Sequence, residues 1–270
     1  MVSFDNWLDT LVAIGYSQPK ARSKIAHDVV LMAMEKSGLA RNVTVKGGVV
    51  MSDITDDVRR ATMDMDVDFV RYSLSDDKID EFIGRLNCIE GVAIERLGAI
   101  VELKQRDYCG KRVFLRVVDS TGVAMRTKID FGVHAHSDIR QTERNFKISL
   151  DGSRARLPAN SGEQVFVEKL KSLLIFGARS GRPKDVFDMC YLCDIVSRDK
   201  FMSVLRVLVL DNPSMKEGSI SAIMNRLSRT FKSRVYMQKL RQSEVNWLEI
   251  SPQVATARIL DFVSHLGESR

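Results

Sequence analysis

Cysteine is scarce in this sequence: four among 270 residues, at Cys88, Cys109, Cys190 and Cys193. So few cannot staple a chain of this length into a disulfide scaffold. Cys190-x-x-Cys193 also lacks the second pair that a tetrahedral zinc site needs. The pair reads as small apolar helix residues in a reducing compartment. Proline is rare at five, and aromatics make up only 7%. Long apolar runs are missing too. The most apolar stretch, FMSVLRVLVL, is far shorter than a membrane span and contains Arg206. The opening MVSFDNWLDT carries acids where a signal peptide needs a basic and then an apolar stretch. The expectation is a cytoplasmic protein with no membrane contact.

What remains is globular. Hydrophobic residues are 44% and charged residues 28%, and the length allows one large domain or two modest ones. Lys and Arg number 41 against 35 for Asp and Glu, a net +6 that permits a polyanionic partner such as RNA or a nucleoside triphosphate without requiring one.

In KIAHDVVLMAMEK, Ile25, Val29, Met32 and Ala33 follow helical spacing, and Gly38 supplies a stop. Asn42 to Lys46 reads as a short strand running into Gly47-Gly48, with a helix expected from Val49 and a second strand over Met63 to Val70. DDKIDEFIGRL places Ile79, Phe82, Ile83 and Leu86 on one helical face, with Ser75 at the N-cap. AIVELKQ, RVFLRVVD, VAMRTKIDFGV and NFKISLD then read as strands. The polar stretch DGSRARLPANSG is the expected boundary, and beyond it the pattern is helical to the end. The predicted architecture is α+β: a lobe over residues 1–155 with a mixed sheet, then an all-helical lobe over 156–270.

The most informative stretch is RATMDMDVDF. On a strand Asp64, Asp66 and Asp68 share one face, while Met63, Met65, Val67 and Phe69 share the other. Carboxylates gathered this way repel one another unless a cation lies between them, so they are candidate metal ligands, with a solvated acidic edge as the plain alternative. In MRTKIDFGV, Met125, Thr127, Ile129, Phe131 and Val133 form a packed face and Asp130 points away from it. If the two strands are neighbours, Asp64, Asp66 and Asp130 converge as a site for two Mg²⁺ ions and in-line attack at phosphorus, with Asp130 placed to help deprotonate the attacking hydroxyl. Lys46-Gly47-Gly48 at a strand-to-helix junction lets backbone approach a phosphate at a helix N-terminus.

The ordered set VKGGVVM, RATMDMDV, KIDF, FVEKLKSLL and RPKDVFDM, spanning Asp28 to Leu192, resembles the bacterial AbiEii/AbiGii toxin family. Those nucleotidyltransferases belong to the DNA polymerase β-like superfamily. The resemblance implies that Lys46, Gly47, Gly48 and Thr62 belong to the nucleotide site, that Asp64 and Asp66 are the metal pair, and that Asp130 is the third carboxylate. Asp68 is then an extra acid. It implies that Lys169 is the lysine of an E-K-L helix and that Asp185 and Asp188 form the Lys-Asp-x-x-Asp element, Lys169 and Asp185 acting in catalysis and Lys169 and Asp188 in nucleotide binding. Val49 departs from the pattern, because members often carry Thr there. The implied cofactor is Mg²⁺, two ions, with Mn²⁺ as a substitute. The implied substrates are an NTP and an RNA, the 3′ end of tRNA foremost, and the implied partner is a cognate antitoxin. Transfer to a small molecule or protein, and a nucleotide-binding module without catalysis, are the alternatives.

Other candidates are weaker. His134 and His136 alternate on a strand without a third ligand, and Cys109 has no placed base. The run Met224 to Arg241 holds Arg226, Arg229, Lys232, Arg234, Lys239 and Arg241 with no acid, and Phe231 and Tyr236 interleave. Phosphate contact with base stacking, or a solvated helix face, both fit it.

Overall fold

The structure, a computed structural model, describes residues 3–105, 108–134, 138–242 and 244–267. The chain divides into two compact units, Met1–Asn160 and Ser161–Arg270.

The first unit runs α1 (Phe4–Ala13), α2 (Gln18–Lys36), β1 (Val43–Lys46), α3 (Gly47–Thr55), β2 (Asp64–Phe69), α4 (Asp76–Arg85), β3 (Val92–Gln105), β4 (Tyr108–Asp119), β5 (Ala124–Val133), β6 (Thr142–Lys147) and β7 (Arg154–Ala159). The seven strands form one sheet in the order β3-β4-β5-β2-β1-β7-β6. β2–β5 and β1–β7 are parallel and the other pairs antiparallel, so the sheet is mixed and the class is α+β.

Period-two burial sets the sheet's two faces. Met65, Val67 and Phe69 of β2 and Ile129 and Phe131 of β5 are fully buried. α4 covers them: Phe82 lies 5.1 Å from Phe69 and 5.5 Å from Phe131, which are themselves 4.8 Å apart, centroid to centroid. Such aromatic pairs add about 0.5–1.5 kcal/mol each beyond their area. α4 forms because Ile79, Phe82 and Ile83 make one buried stripe, with Asp76 and Asp77 in the first turn and Arg85 in the last, as the helix dipole favours. α2 covers the same face, and its buried His27 meets Thr127 Oγ1 at 2.9 Å.

Three expectations need correction. Met63 and Val133 are 51% and 46% exposed rather than packed, because Met63 precedes β2 and Val133 is the last residue of β5. α3 begins at Gly47, not Val49, because Gly47 turns directly out of the strand at φ +59°, a conformation open to glycine. The stretch read as the boundary holds the division after Asn160 but also β7, so a cut after residue 155 would pass through a strand. There Ala155, Leu157 and Ala159 alternate inward at 0% exposure, and this period-two pattern prevails over the neighbouring turn residues.

The second unit holds α5 (Gly162–Phe176), α6 (Lys184–Leu192), α7 (Arg198–Leu205), a π-helical turn over Arg206–Leu210, α8 (Ile220–Phe231), α9 (Arg234–Leu240) and α10 (Pro252–Ser264). Among the described residues it has no strand. Ser161, Ser219, Ser233 and Ser251 each accept a backbone N–H at a helix start, worth about 1 kcal/mol apiece. Phe166, Phe201 and Phe262 meet at 4.9–5.4 Å to form its core. Burial pushes the Cys193 thiol up to about 12, which suits a structural and unreactive residue. Among the described residues no helix is long and apolar enough to cross a membrane.

Burial, with Lys24 nearby, lowers the His27 imidazole from 6.5 to about 3. The unfolded chain therefore binds a proton below pH 6.5 that the fold refuses until about pH 3, so stability falls as pH drops through that window. The full contribution is up to about 5 kcal/mol. Thermal melts between pH 7 and pH 4 should show a steeper loss for the wild type than for His27→Gln; parallel curves would contradict this.

Candidate active site

Alternation along β2 places Asp64, Asp66 and Asp68 on the face opposite the aromatic core. The parallel register with β5 sets Asp66 directly opposite Asp130, and Asp64 opposite Lys128. The antiparallel register with β1 sets Lys46 opposite Asp66, and that with β4 sets Arg112 opposite Asp130. One row across four strands therefore reads Lys46, Asp66, Asp130, Arg112.

Cations manage the carboxylates. Arg112 donates from Nε to Asp130 Oδ1 at 2.7 Å and from Nη2 to Oδ2 at 2.8 Å, a bidentate grip that fixes the carboxylate plane. Hydrogen bonding to Asp130 holds the Arg112 guanidinium above its ordinary range, and the Asp64 and Asp66 charges reinforce this, so Arg112 feels all three acids. Lys128 Nζ lies 3.0 Å from Asp64, whose side chain is 52% exposed. Lys46 Nζ binds the buried Asp68 at 2.8 Å, so the extra acid has a cation partner. With Asp64 drawn to Lys128 and Asp130 to Arg112, no group of three acidic or other ligand side chains is gathered around one point among the described residues.

The glycines are pressed against this row. A Cβ on Gly47 would stand 2.3 Å from Asp66 Oδ2, and one on Gly48 2.5 Å from Thr62 Oγ1. A side chain at either glycine would have to displace Asp66 or Thr62, whereas bare backbone brings the start of α3, the positive end of its dipole, beside a carboxylate. The Thr62 hydroxyl reaches the Asp64 backbone, 3.4 Å from its N–H and 3.3 Å from its carbonyl, and so ties the lead-in to the strand. Val49 is buried at 6% exposure, so its side chain packs inward and a hydroxyl there would not face the open side. A cleft alongside α3 is lined by Lys24, Asp28, Ser52, Asp53, Asp56 and Thr62. Its acids are committed to Lys24, Arg144 and Lys147, which marks it as structural.

In the helical unit the structure brings Lys169, Asp185 and Asp188 together. Lys169 Nζ pairs with Asp185 and lies 2.9 Å from Asp188, and Trp247 Nε1 donates to Asp188 at 3.0 Å. The basic run fares differently. Phe231 is 8% exposed and Tyr236 fully buried, so neither can stack on a base. Arg226 donates to the carbonyls of Leu174 and Ile175 at the end of α5, and Lys239 to that of Ser180. These four serve packing because α8 and α9 must bury one face and close off α5. Arg229, Lys232, Arg234 and Arg241 remain exposed. His134 faces Gln141, while His136 and the Cys109 side chain lie outside the described residues.

Arg112, Lys128 and Trp247 were not among the sequence candidates. Lys128 carries a signal, the same alternation that exposes Asp130. Arg112 becomes visible only once β4 is known to lie beside β5, and Trp247 stands 59 residues from its partner.

A family model described as "Nucleotidyl transferase AbiEii toxin, Type IV TA system" matches residues 29–241. No curated relative matches the sequence. Among solved structures, the chain is similar to an antigenic nucleotidyltransferase-like protein from Paracoccidioides brasiliensis, at 15% identity and a TM-score of 0.37, over 77% of this chain and 91% of that one. That likeness is too distant to bear on chemistry.

Gly47→Ala should lower nucleoside triphosphate affinity at least about tenfold by displacing the Asp66 carboxylate. Gly38→Ala, also at positive φ but with nothing within 4 Å, isolates the backbone strain of about 1 kcal/mol and should leave affinity unchanged. Equal affinities for the two variants, by titration calorimetry, would contradict the close approach.

Proposed function

Because the chain belongs to the AbiEii family of nucleotidyltransferase toxins of type IV toxin–antitoxin systems, we propose that it transfers a nucleoside monophosphate from an NTP to the 3′ hydroxyl of an RNA, tRNA being the first candidate. The observation that carries this is the close approach of Gly47, at a helix start, to Asp66 in the same row as Asp130. The acceptor oxygen attacks the α-phosphorus, forming one P–O bond. The α–β phosphoanhydride bond breaks, pyrophosphate leaves with the electron pair, and the hydroxyl proton is released.

Turned from Lys128 and Arg112 toward one point, Asp64, Asp66 and Asp130 would offer an all-oxygen donor set that suits Mg²⁺, which would activate the hydroxyl and neutralise charge on the leaving group. The chain's own part is positional. Gly47, Gly48 and the start of α3 receive phosphate oxygens, Arg112 holds Asp130 in one orientation, and Lys128 offsets charge at Asp64. Lys169, held by Asp185 and Asp188, enters through the family pattern. The net +6 and the exposed Arg229, Lys232, Arg234 and Arg241 favour a polyanionic acceptor over a small molecule. The inward packing of Val49 removes the one sequence feature that favoured a module without catalysis. A cognate antitoxin is the partner that membership of a toxin–antitoxin family suggests.

Incubation with α-labelled NTPs, Mg²⁺ and total RNA should label RNA, and Asp64→Asn or Asp66→Asn should cut the rate at least about 10²-fold with the fold intact. Asp68→Asn should instead lower stability by about 1–3 kcal/mol, because it loosens Lys46, and leave most turnover. Full transfer in a nuclease-treated, RNA-free assay would defeat the RNA acceptor. An essential Asp68 beside a dispensable Asp64 would overturn the assignment of the acids.

A further inference from the structure

The face that carries the acids continues across β4 and β3, and its composition changes there. In the row holding Asp64 and Lys128, the next residue is Phe114 on β4, opposite Lys128, and then Leu97 on β3, opposite Phe114. In the row holding Asp66, Asp130 and Arg112, the next residue is Val101. Phe114 and Val101 are 42% and 45% exposed, although large apolar residues on a strand ordinarily find cover. Residues directly opposite across a sheet share a face, and Arg112, Phe114 and Arg116 alternate on β4, so Phe114 stands on the same side as the carboxylates. Two strand spacings separate it from Asp64, about 10 Å.

One row further along, Arg126 of β5 lies opposite Arg116 of β4, and both rise from this face. The acid in that row, Glu95, meets Arg116 at 3.3 Å in an exposed pair that is worth little. Arg126 is exposed. An apolar ring with cations on its far side and the reacting acids on its near side matches an unpaired nucleotide, whose base stacks on a side chain while its phosphates meet arginine. A duplex end keeps its bases stacked and has little use for such a ring.

We propose that Phe114, flanked by Leu97 and Val101, is the platform on which the terminal base of a single-stranded RNA 3′ end stacks, with Arg126 and Arg116 receiving its phosphates. The inference rests on the RNA acceptor proposed above and assigns that acceptor's place. Phe114 is a binding residue here, away from the triphosphate, so its loss should raise the demand for RNA and spare the chemistry.

The test uses the full chain and a short fluorescein-labelled single-stranded RNA with a free 3′ hydroxyl, beside the same strand in a blunt duplex. Phe114→Ala should weaken single-strand binding in anisotropy about tenfold or more and raise the RNA KM equally, with kcat at saturating RNA and the NTP KM unchanged. Phe114→Trp should restore binding. Arg126→Ala should weaken binding and reduce the slope of log affinity against log salt by about one. If the wild type labels RNA but Phe114→Ala keeps its RNA KM, or if NTP and RNA KM rise together, the platform is overturned and the proposed reaction stands. Equal binding of strand and duplex, each insensitive to Phe114, also overturns it. If the wild type labels and binds no RNA, both proposals fall.

Discussion

The parallel pairing of β2 with β5 is the constraint on which the site depends. It sets Asp66 against Asp130, residues 64 positions apart, and the pairing is held from the other side of the sheet. Met65, Val67, Phe69, Ile129 and Phe131 are all fully buried, so a slip of β2 by one residue would turn its three apolar side chains out of the core and drive its acids in. At roughly 1.5–3 kcal/mol for each large apolar side chain, that penalty is comparable to the whole stability of a domain. Hydrophobic burial on one face therefore dictates electrostatic geometry on the other.

Carboxylates placed in this way create a charge problem, and the same registers supply its answer. Arg112, Lys128 and Lys46 come from β4, β5 and β1, the strands that flank or follow β2 across the sheet, and they meet Asp130, Asp64 and Asp68 respectively. The arrangement is graded by exposure. Asp68, buried, is committed to Lys46, whereas Asp64 is half open and its pairing with Lys128 is correspondingly weak. The acid closest to the Gly47-Gly48 turn is Asp66, and the most exposed ion pair of the three is that of Asp64.

Much of this was legible in the sequence wherever the information is local. Alternation in MDMDVDF and in TKIDF exposes the acids, and a Gly-Gly after a short strand marks a tight strand-to-helix turn. Membership of the AbiEii family, suggested by the order of five short motifs, agrees with the match over residues 29–241. What was illegible depends on strand order or on distant partners. The grip of Arg112 on Asp130 needs β4 beside β5, and Asp68 differs from Asp64 only through Lys46. The strand in SRARLPA was hidden by its Pro, Asn and Ser neighbours. In the acid-free run, composition suggested an RNA surface, yet Phe231 and Tyr236 are interior and Arg226 closes the end of α5. Charge counts report what a segment carries and not which way it faces.

The proposed reaction requires residues from two strands, Asp66 and Asp130, to act as one cation site. Mn²⁺ titration followed by electron paramagnetic resonance, on the wild type and on the isosteric variants Asp66→Asn and Asp130→Asn, measures this without turnover. Each variant, folded by circular dichroism, should lose at least about tenfold in Mn²⁺ affinity. An Asp130→Asn variant that binds Mn²⁺ as tightly as the wild type would contradict it.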